Sequence, residues 1–509
     1  MRQIKVDKLY RFLFIFSVWA LTTNAQTYKI VDTGQEKYFD NSSEISAPQE
    51  GEAFFGQDAQ YSNYQPSFKD NGDNTITDNV TGLMWQKGFT ESEFDEAAGI
   101  ADTTTTGEYT DWRVPTTKEL YSLINFTGNQ GTGDPSASIP PDDASPFIDT
   151  NYFEFEYPSV GRYIDAQYLA STEYVGTVMN GEDAFFGVNF ADGRIKGYPQ
   201  SGGDDWYLRL VRGTTTYGQN DFVDNENGTV TDNATELMWM QDDSGDDQFT
   251  NLLSGFTNND GSLNWEEALE FAENMEYAGY SDWRLPNAKE LHTIVDYTRA
   301  PDVTNSPAIA SIFNSSGIIN EAGNDDYPFY WTSTTFESGL DAVIIQFGRS
   351  LGYYDVGEGD GDQFYDVHGA GAQRTDPKTG ESSYGSGPQG DVRRVYNYVR
   401  PVRYVNDPTG IENEQSDASE IPSEFELQQN YPNPFNPSTQ IVISVPESGN
   451  YTLEVYNIMG QEVASLLSNP ISAGTHTFNF DASNLTSGIY FYNFSGNNFN
   501  QTKKMLLMK

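Results

Sequence analysis

The sequence predicts an α+β protein: two tandem α+β domains followed by a small Ig-like β-sandwich. An eleven-residue stretch is spelled twice, TDWRVPTTKEL at 110–120 and SDWRLPNAKEL at 281–291. Around each copy, short β-prone runs broken by turn residues alternate with amphipathic helix patterns. Beyond an acidic stretch, residues 425–509 change to closely spaced alternating strands, the pattern of a small sandwich.

The totals narrow the function. At 509 residues the chain is too long for one core, and about three domains are expected. Its 75 acids against 28 bases give a net charge of −47, a field that repels nucleic acid and sulfated polymers and favours divalent cations. Aromatic residues are plentiful (32 Tyr, 32 Phe, 8 Trp), so this is not a disordered acidic tail. There is no cysteine, which excludes disulfides, thiol catalysis, zinc thiolates and iron–sulfur clusters. The three histidines, His292, His368 and His476, lie far apart, and no G-x-S-x-G elbow is present.

Residues 1–25 read as a signal peptide: Arg2, Lys5, Lys8 and Arg11 precede the apolar run 12–21, and small residues end at Ala25. A run of ten is too short to span a bilayer, so no transmembrane helix is expected in the mature chain. Residues 26–65 form a polar, extended lead-in. The first repeat then opens with FKDNGDNTITDNVTGLMW at 68–85, matched by FVDNENGTVTDNATELMW at 222–239. Their Asp, Asn and Gly clusters are turn chemistry between hairpin strands, because they lack the calcium-loop spacing of an EF-hand.

A helix comes next in each copy. In the second, Asn264 is the N-cap, Glu267 closes a capping box, and Trp265, Ala268, Leu269, Ala272 and Met275 share a face. The first has a weaker version with Phe94, Ala97, Ala98 and Ala101. Then comes the duplicated stretch. Pro115 or Pro286 ends a strand, Thr116 or Asn287 caps a helix, and Glu119 or Glu290 completes a capping box. Arg113 and Arg284 are expected against an aromatic face or a carboxylate. We read Trp112, Arg113, Glu119, Trp283, Arg284 and Glu290 as a folding signature rather than an active site, because they include no nucleophile or base pair. The copies close with YLAST at 168–172 and YWTST at 330–334, and with LRLVR at 208–212 and VRPVR at 399–403. Length differences fall in loops at 128–146 and 353–390, where binding residues are expected.

This order of motifs resembles the Lcl C-terminal domain family, named after a collagen-like bacterial adhesin, over residues 66–213 and 219–404. The resemblance implies a C-type-lectin-like α+β fold, related to the scaffold of formylglycine-generating enzymes, and a role in surface attachment. Members often carry a cysteine after the first helix and another in the closing motif. Here those positions hold Ala101 with Leu210, and Ala272 with Pro401. Formylglycine-type chemistry needs active-site cysteines, so it is not expected.

Residues 405–424 are an acidic linker. The segment 425–509, with NYPNPFNPST at 430–439, VYNIMGQEV at 455–463 and LTSGIY at 485–490, resembles the type A C-terminal sorting domain of the type IX secretion system. That resemblance implies export, passage through the outer membrane, and release or attachment at the surface of a Gram-negative bacterium.

Carboxylates are the only abundant reactive groups. Glu358, Asp360, Asp362 and Asp366 are candidate calcium ligands, with Asp242, Asp243, Asp246 and Asp247 a second cluster. Tyr353, Tyr354, Phe364 and Tyr365 are candidates to stack on a ligand. The expected protein is a secreted or surface-held binder, not an enzyme and with no required cofactor. Its partners would be a glycan or an extracellular protein, together with the type IX machinery. A structural surface protein without a defined ligand is the alternative, and a carboxylate-dependent hydrolase is a weaker one.

Overall fold

The computed structural model describes residues 27–405 and most of 425–508. Positions 62, 180, 202–205, 338, 356–360 and scattered residues of the last domain are not described. The signal peptide 1–25 and the linker beyond Val405 therefore lie outside the described residues. The chain divides into two compact units at Asn406–Asp407.

The expected α+β, C-type-lectin-like architecture is corrected by the structure, which is nearly all-β. Among the described residues the α-helices are Ala97–Thr103, Thr117–Ser122, Trp265–Glu273, Ala288–Thr293 and Pro301–Thr304. None exceeds nine residues. The expected starts after Thr116, Asn264 and Asn287 are present, whereas the first repeat's first helix begins only at Ala97 and leaves Phe94 outside it; turn-forming residues stop the first and third helices early. Thr104, Thr105, Thr106 and Gly107 come directly after the first helix, and Asn274 caps the third at its C-terminus. The other described residues are strand, turn and irregular chain, with short 3-10 helices at Asp58–Gln60, Thr106–Glu108 and Asp247–Phe249.

Each repeat begins with the predicted hairpins, which join the closing strand in a four-stranded sheet. In the first repeat the order is Val211–Arg212, Met84–Gln86, Thr75–Asp78, Phe68–Asp70; in the second it is Val402–Tyr404, Leu237–Met240, Thr229–Asp232, Phe222–Asp224. The Asp and Asn side chains fold the turns. Gly72 N–H donates to Asp70 and Glu226 N–H to Asp224, both at 2.8 Å. Asn71 and Asn225 each donate to two threonines of the next strand.

Strands of both repeats also merge into one nine-stranded sheet. The first repeat contributes Thr90–Ser92, Gln167–Tyr168, Glu173–Val178, Glu182–Asn189, Arg194–Pro199 and Trp206–Leu208. The second contributes Phe329–Phe336, Asp341–Gln346 and Gln373–Pro377. The join is antiparallel, with Ile195 opposite Gln373. One apolar cluster crosses it, placing Phe147, Phe186 and Val188 with Phe336, Val343 and Ala372. The repeats are thus halves of a single body rather than separate beads.

Residues 27–65, read from sequence as an extended lead-in, hold little regular structure but are bound to the second repeat. Buried Asp58 accepts from Thr334 at 2.6 Å, Tyr61 donates to Glu273 at 2.7 Å, and Asn63 donates to Glu290 at 3.1 Å. Ile30 enters a core cluster with Leu291 and Trp239.

Reciprocal lysines pin the repeats together. The two helices of the duplicated stretch, Thr117–Ser122 and Ala288–Thr293, face each other with Tyr121 and His292 rings 4.5 Å apart. Lys118 donates to the Thr293 carbonyl at 2.6 Å, and Lys289 donates to the Ser122 carbonyl at 3.0 Å. Thr293 and Ser122 hold equivalent positions, so each lysine satisfies a C-terminal carbonyl of the other repeat's helix. The arrangement is an internal counterpart of an isologous dimer contact.

In the C-terminal unit, Glu426–Leu427, Ser438–Val445 and Gly474–Asp481 make one sheet. Glu462–Leu467, Thr452–Asn457, Gly488–Gly496 and Phe499–Leu507 make another. Ile441, Ile443 and Val445 share one buried cluster with Leu453, Val455, Tyr492 and Met505, as expected of a β-sandwich.

Candidate ligand-binding surface

The duplicated signature residues are engaged in packing. Trp112 donates to the Thr106 carbonyl at 3.0 Å and Trp283 to the Tyr277 carbonyl at 3.1 Å. Arg113 pairs with Glu119 through both guanidinium ends, and Arg284 pairs with Glu290 in the same way, at 2.7 Å for each contact. The carboxylates also accept from the backbone of their N-caps, completing both predicted capping boxes. Arg284 lies between the rings of Tyr61 and Tyr404, at 5.0 and 4.4 Å, rather than on Trp283. Burial works against Glu290 ionising, but Arg284 holds its carboxyl below the usual range.

The closing motifs work in parallel as well. Buried Arg209 donates to the carbonyls of Gln86, Lys87 and Glu154, and buried Arg400 to those of Met240, Gln241 and Asn314. Arg212 pairs with Asp111 over the Tyr109 ring, as Arg403 does with Asp282 over Tyr280. The YxxST motifs explain themselves here. Ser171 and Ser333 N–H groups donate to the carbonyls of Pro115 and Pro286. Thr172 and Thr334 hydroxyls accept the first helical N–H of Thr117 and Ala288.

The repeats differ most where the second carries an additional sheet. In the first, Glu182–Asn189 passes to Arg194–Pro199 through residues 190–193. Gly193 sits at φ 65°, and a Cβ there would lie 2.6 Å from the Phe147 ring. In the second, the strands Leu351–Tyr354 and Gln363–Asp366 come between Asp341–Gln346 and Gln373–Pro377. With Asp391–Arg393 and Ser383–Ser386 these form a four-stranded sheet ordered 363–366, 351–354, 391–393, 383–386. The first repeat has no counterpart among the described residues.

Alternation along these strands sorts the aromatic candidates onto two faces. Tyr353 and Phe364 are directly paired. With Tyr384 they form a three-ring cluster at centroid distances of 4.8, 5.1 and 5.3 Å. Tyr353 and Phe364 are half-buried, and Tyr384 is 56% exposed. Tyr354 and Tyr365 turn to the other face, where the Tyr354 hydroxyl lies 2.9 Å from Met179 Sδ of the first repeat. The four sequence candidates are thus two rings in the half-open cluster with Tyr384 and two rings on the opposite face. Tyr384 escaped the sequence selection; its only signal was a lone aromatic in the Ser- and Gly-rich run 382–387.

The base of this sheet is held firmly. Asp391 pairs with Arg374 and, at 2.9 Å, with His368. Burial opposes its charge, but those two neighbours keep its carboxyl well below the usual range. Burial pushes His368 down to about 4, so at neutral pH it is an uncharged partner. Asp366 accepts from Tyr174 at 2.8 Å and from the N–H groups of Ser350 and Gly369. Burial raises its carboxyl to about 7.

Asp366 is therefore committed to the seam between the repeats, while Asp362 is exposed. Glu358 and Asp360 lie outside the described residues. Of the second acidic cluster, Asp243 is buried and accepts from Ser316 and Tyr330, whereas Asp242 accepts from Gln248 and Asn314. No group of three or more His, Asp or Glu side chains among the described residues is arranged to hold a metal ion.

Comparison with known families accords with this division. The Lcl C-terminal domain family matches residues 74–212 and 228–365, together more than half of the chain. The secretion system C-terminal sorting domain matches residues 429–508. No curated protein matches the chain. A type IX sorting domain marks a protein secreted from, or held on the surface of, a Gram-negative bacterium, and implies contact with the type IX secretion machinery. Among the described residues no helix is long and apolar enough to cross a membrane.

Proposed function

Because the chain belongs to the Lcl C-terminal domain family and ends in a sorting domain, we propose that it is an exported adhesion protein that binds a glycan or an extracellular matrix protein. The observation that carries this proposal is the half-open aromatic face of Tyr353, Phe364 and Tyr384. It is built on an insertion that the first repeat lacks and braced from behind by Tyr354 on Met179. Aromatic faces of this kind stack on sugar rings or receive apolar and cationic side chains. Exposed Asp355 and Asp362 flank it, which favours a neutral or basic ligand over a sulfated one. The proposal needs no catalytic residue and no cofactor.

Binding of the full chain to glycan and matrix-protein arrays, with and without Ca²⁺, tests this. A retained ligand that is lost in Tyr353→Ala/Tyr384→Ala, with unchanged unfolding, supports adhesion through this face. A protein that retains nothing in either condition is a structural surface component instead. That second reading draws support from the duplicated motifs, whose side chains are used for packing.

A further inference from the structure

Where the two helices of the duplicated stretch meet, a cavity of about 20 Å³ is lined by Tyr28, Lys118, Tyr121, Tyr217, Lys289 and His292, among others. It has room for one water-sized body. In a chain with 28 bases against 75 acids, two of the bases border this one small space, and no carboxylate lines it.

The groups with hydrogen-bonding capacity left over at the cavity are two hydroxyls and one ammonium, each able to donate. The carbonyls of Gly218 and Thr293 accept from Lys118, and that of Ser122 accepts from Lys289. Lys289 places two of its three N–H groups, on the carbonyls of Asp32 and Ser122. The buried hydroxyls of Tyr28 and Tyr121 have no partner among the described residues. His292 binds Tyr297 through Nε2 and is kept neutral by burial. Unplaced donors beside two ammonium groups suit an anion, and orphaned buried hydroxyls are costly when nothing accepts from them. The acids that face these lysines, Asp232 and Asp296 for Lys118, and Asp32, Asp78 and Asp58 for Lys289, are not among the residues lining the cavity.

We propose that this cavity binds one chloride-sized monovalent anion, which ties the two repeats together at their shared axis. The Tyr121 and Tyr28 hydroxyls and the third Lys289 N–H donate to it.

Thermal unfolding of the full chain in sodium chloride, bromide and gluconate, at fixed pH and ionic strength, tests the site. Chloride and bromide are expected to raise the midpoint saturably, by about 2 °C, over gluconate. Tyr121→Phe keeps the ring and is expected to lose at least half of that rise; Tyr28→Phe serves if the first variant fails to fold. A bromide-soaked crystal is expected to show anomalous density in the cavity. Equal midpoints in chloride and gluconate would overturn the proposal and assign the space to water. A halide effect retained in full by the phenylalanine variant, or cavity density without anomalous signal, would do the same.

Discussion

The first and second repeats use one set of packing devices and then diverge in purpose. Both place Trp on a carbonyl six residues upstream, both bury an arginine on three backbone carbonyls, and both close a helix with an Arg–Glu pair. The first closes its hairpin with a tight turn at Gly193; the second opens the same place into a sheet. That sheet rests on the first repeat, whose Tyr174 and Met179 bind Asp366 and whose Gly197 N–H donates to the His368 carbonyl. Duplication thus leaves one copy free to support while the other displays.

The largest expected contrast lies in the Arg–Glu pairs. The Arg284 side chain is 3% exposed and Arg113 is 26% exposed. Arg284→Met strands Glu290 in the interior and is expected to cost about 3–5 kcal/mol, against about 1–3 kcal/mol for Arg113→Met. Urea midpoints of the two variants measure this, and equal losses would erase the asymmetry. The lysine swap comes next. Lys118→Met and Lys289→Met each leave carbonyls unpaired, costing about 1–3 kcal/mol. The double variant should deviate from additivity by at least about 0.5 kcal/mol, whereas strict additivity would deny a shared seam.

Acidity should also separate the halves. Burial raises Asp58, Glu273, Glu337, Asp366 and Asp376 to about 7, and all five lie in or against the second repeat. Raised carboxyls contribute stability that is full below the unfolded value and lost as pH rises through about 7. Lys118, Lys196 and Lys289, lowered by burial to about 8, and Lys378, lowered to about 6, work the other way. Their contribution is full above the unfolded value and lost as pH falls through those values. His368, lowered to about 4, and His292, lowered well below its ordinary value by burial, subtract from the acid limb without outweighing five carboxyls. Unfolding midpoints should therefore pass through a minimum near pH 7–8, and Asp366→Asn should flatten the fall between pH 5 and 7. A midpoint that climbs steadily from pH 5 to 8 would contradict this.

The smallest contrast is at the caps. Asn264 accepts from Glu267 N–H at 3.0 Å, so Asn264→Ala should cost about 1 kcal/mol. Glu96, at the equivalent cap of the first repeat, makes no capping bond, so Glu96→Ala should leave the midpoint unchanged.

Much of this was legible in the sequence because its causes are local. Capping boxes at Thr116, Asn264 and Asn287 arise from spacing alone, as do the Asx turns at Asp70 and Asp224. Helix content was overestimated because the amphipathic patterns gave the helix starts, while the Thr- and Asn-rich stops decided their lengths. The merged sheet was illegible: Ile195 opposite Gln373 is a single pairing with no motif. Nothing in the two KEL triplets marks their lysines, and only the approach of the other copy shows their use. Tyr353 and Phe364 could be nominated from composition, but sorting them from Tyr354 and Tyr365 required the strand register.

The binding of residues 27–65 to the second repeat bears on the order in which the body folds. Gln35 exchanges hydrogen bonds with Thr335, 300 positions further along the chain, and Asp58 meets Thr334, 276 positions further. Closing such long loops delays folding, because their entropy is lost before the contacts form. The N-terminal part of the body therefore completes its packing only once the strand Phe329–Phe336 of the second repeat has been made.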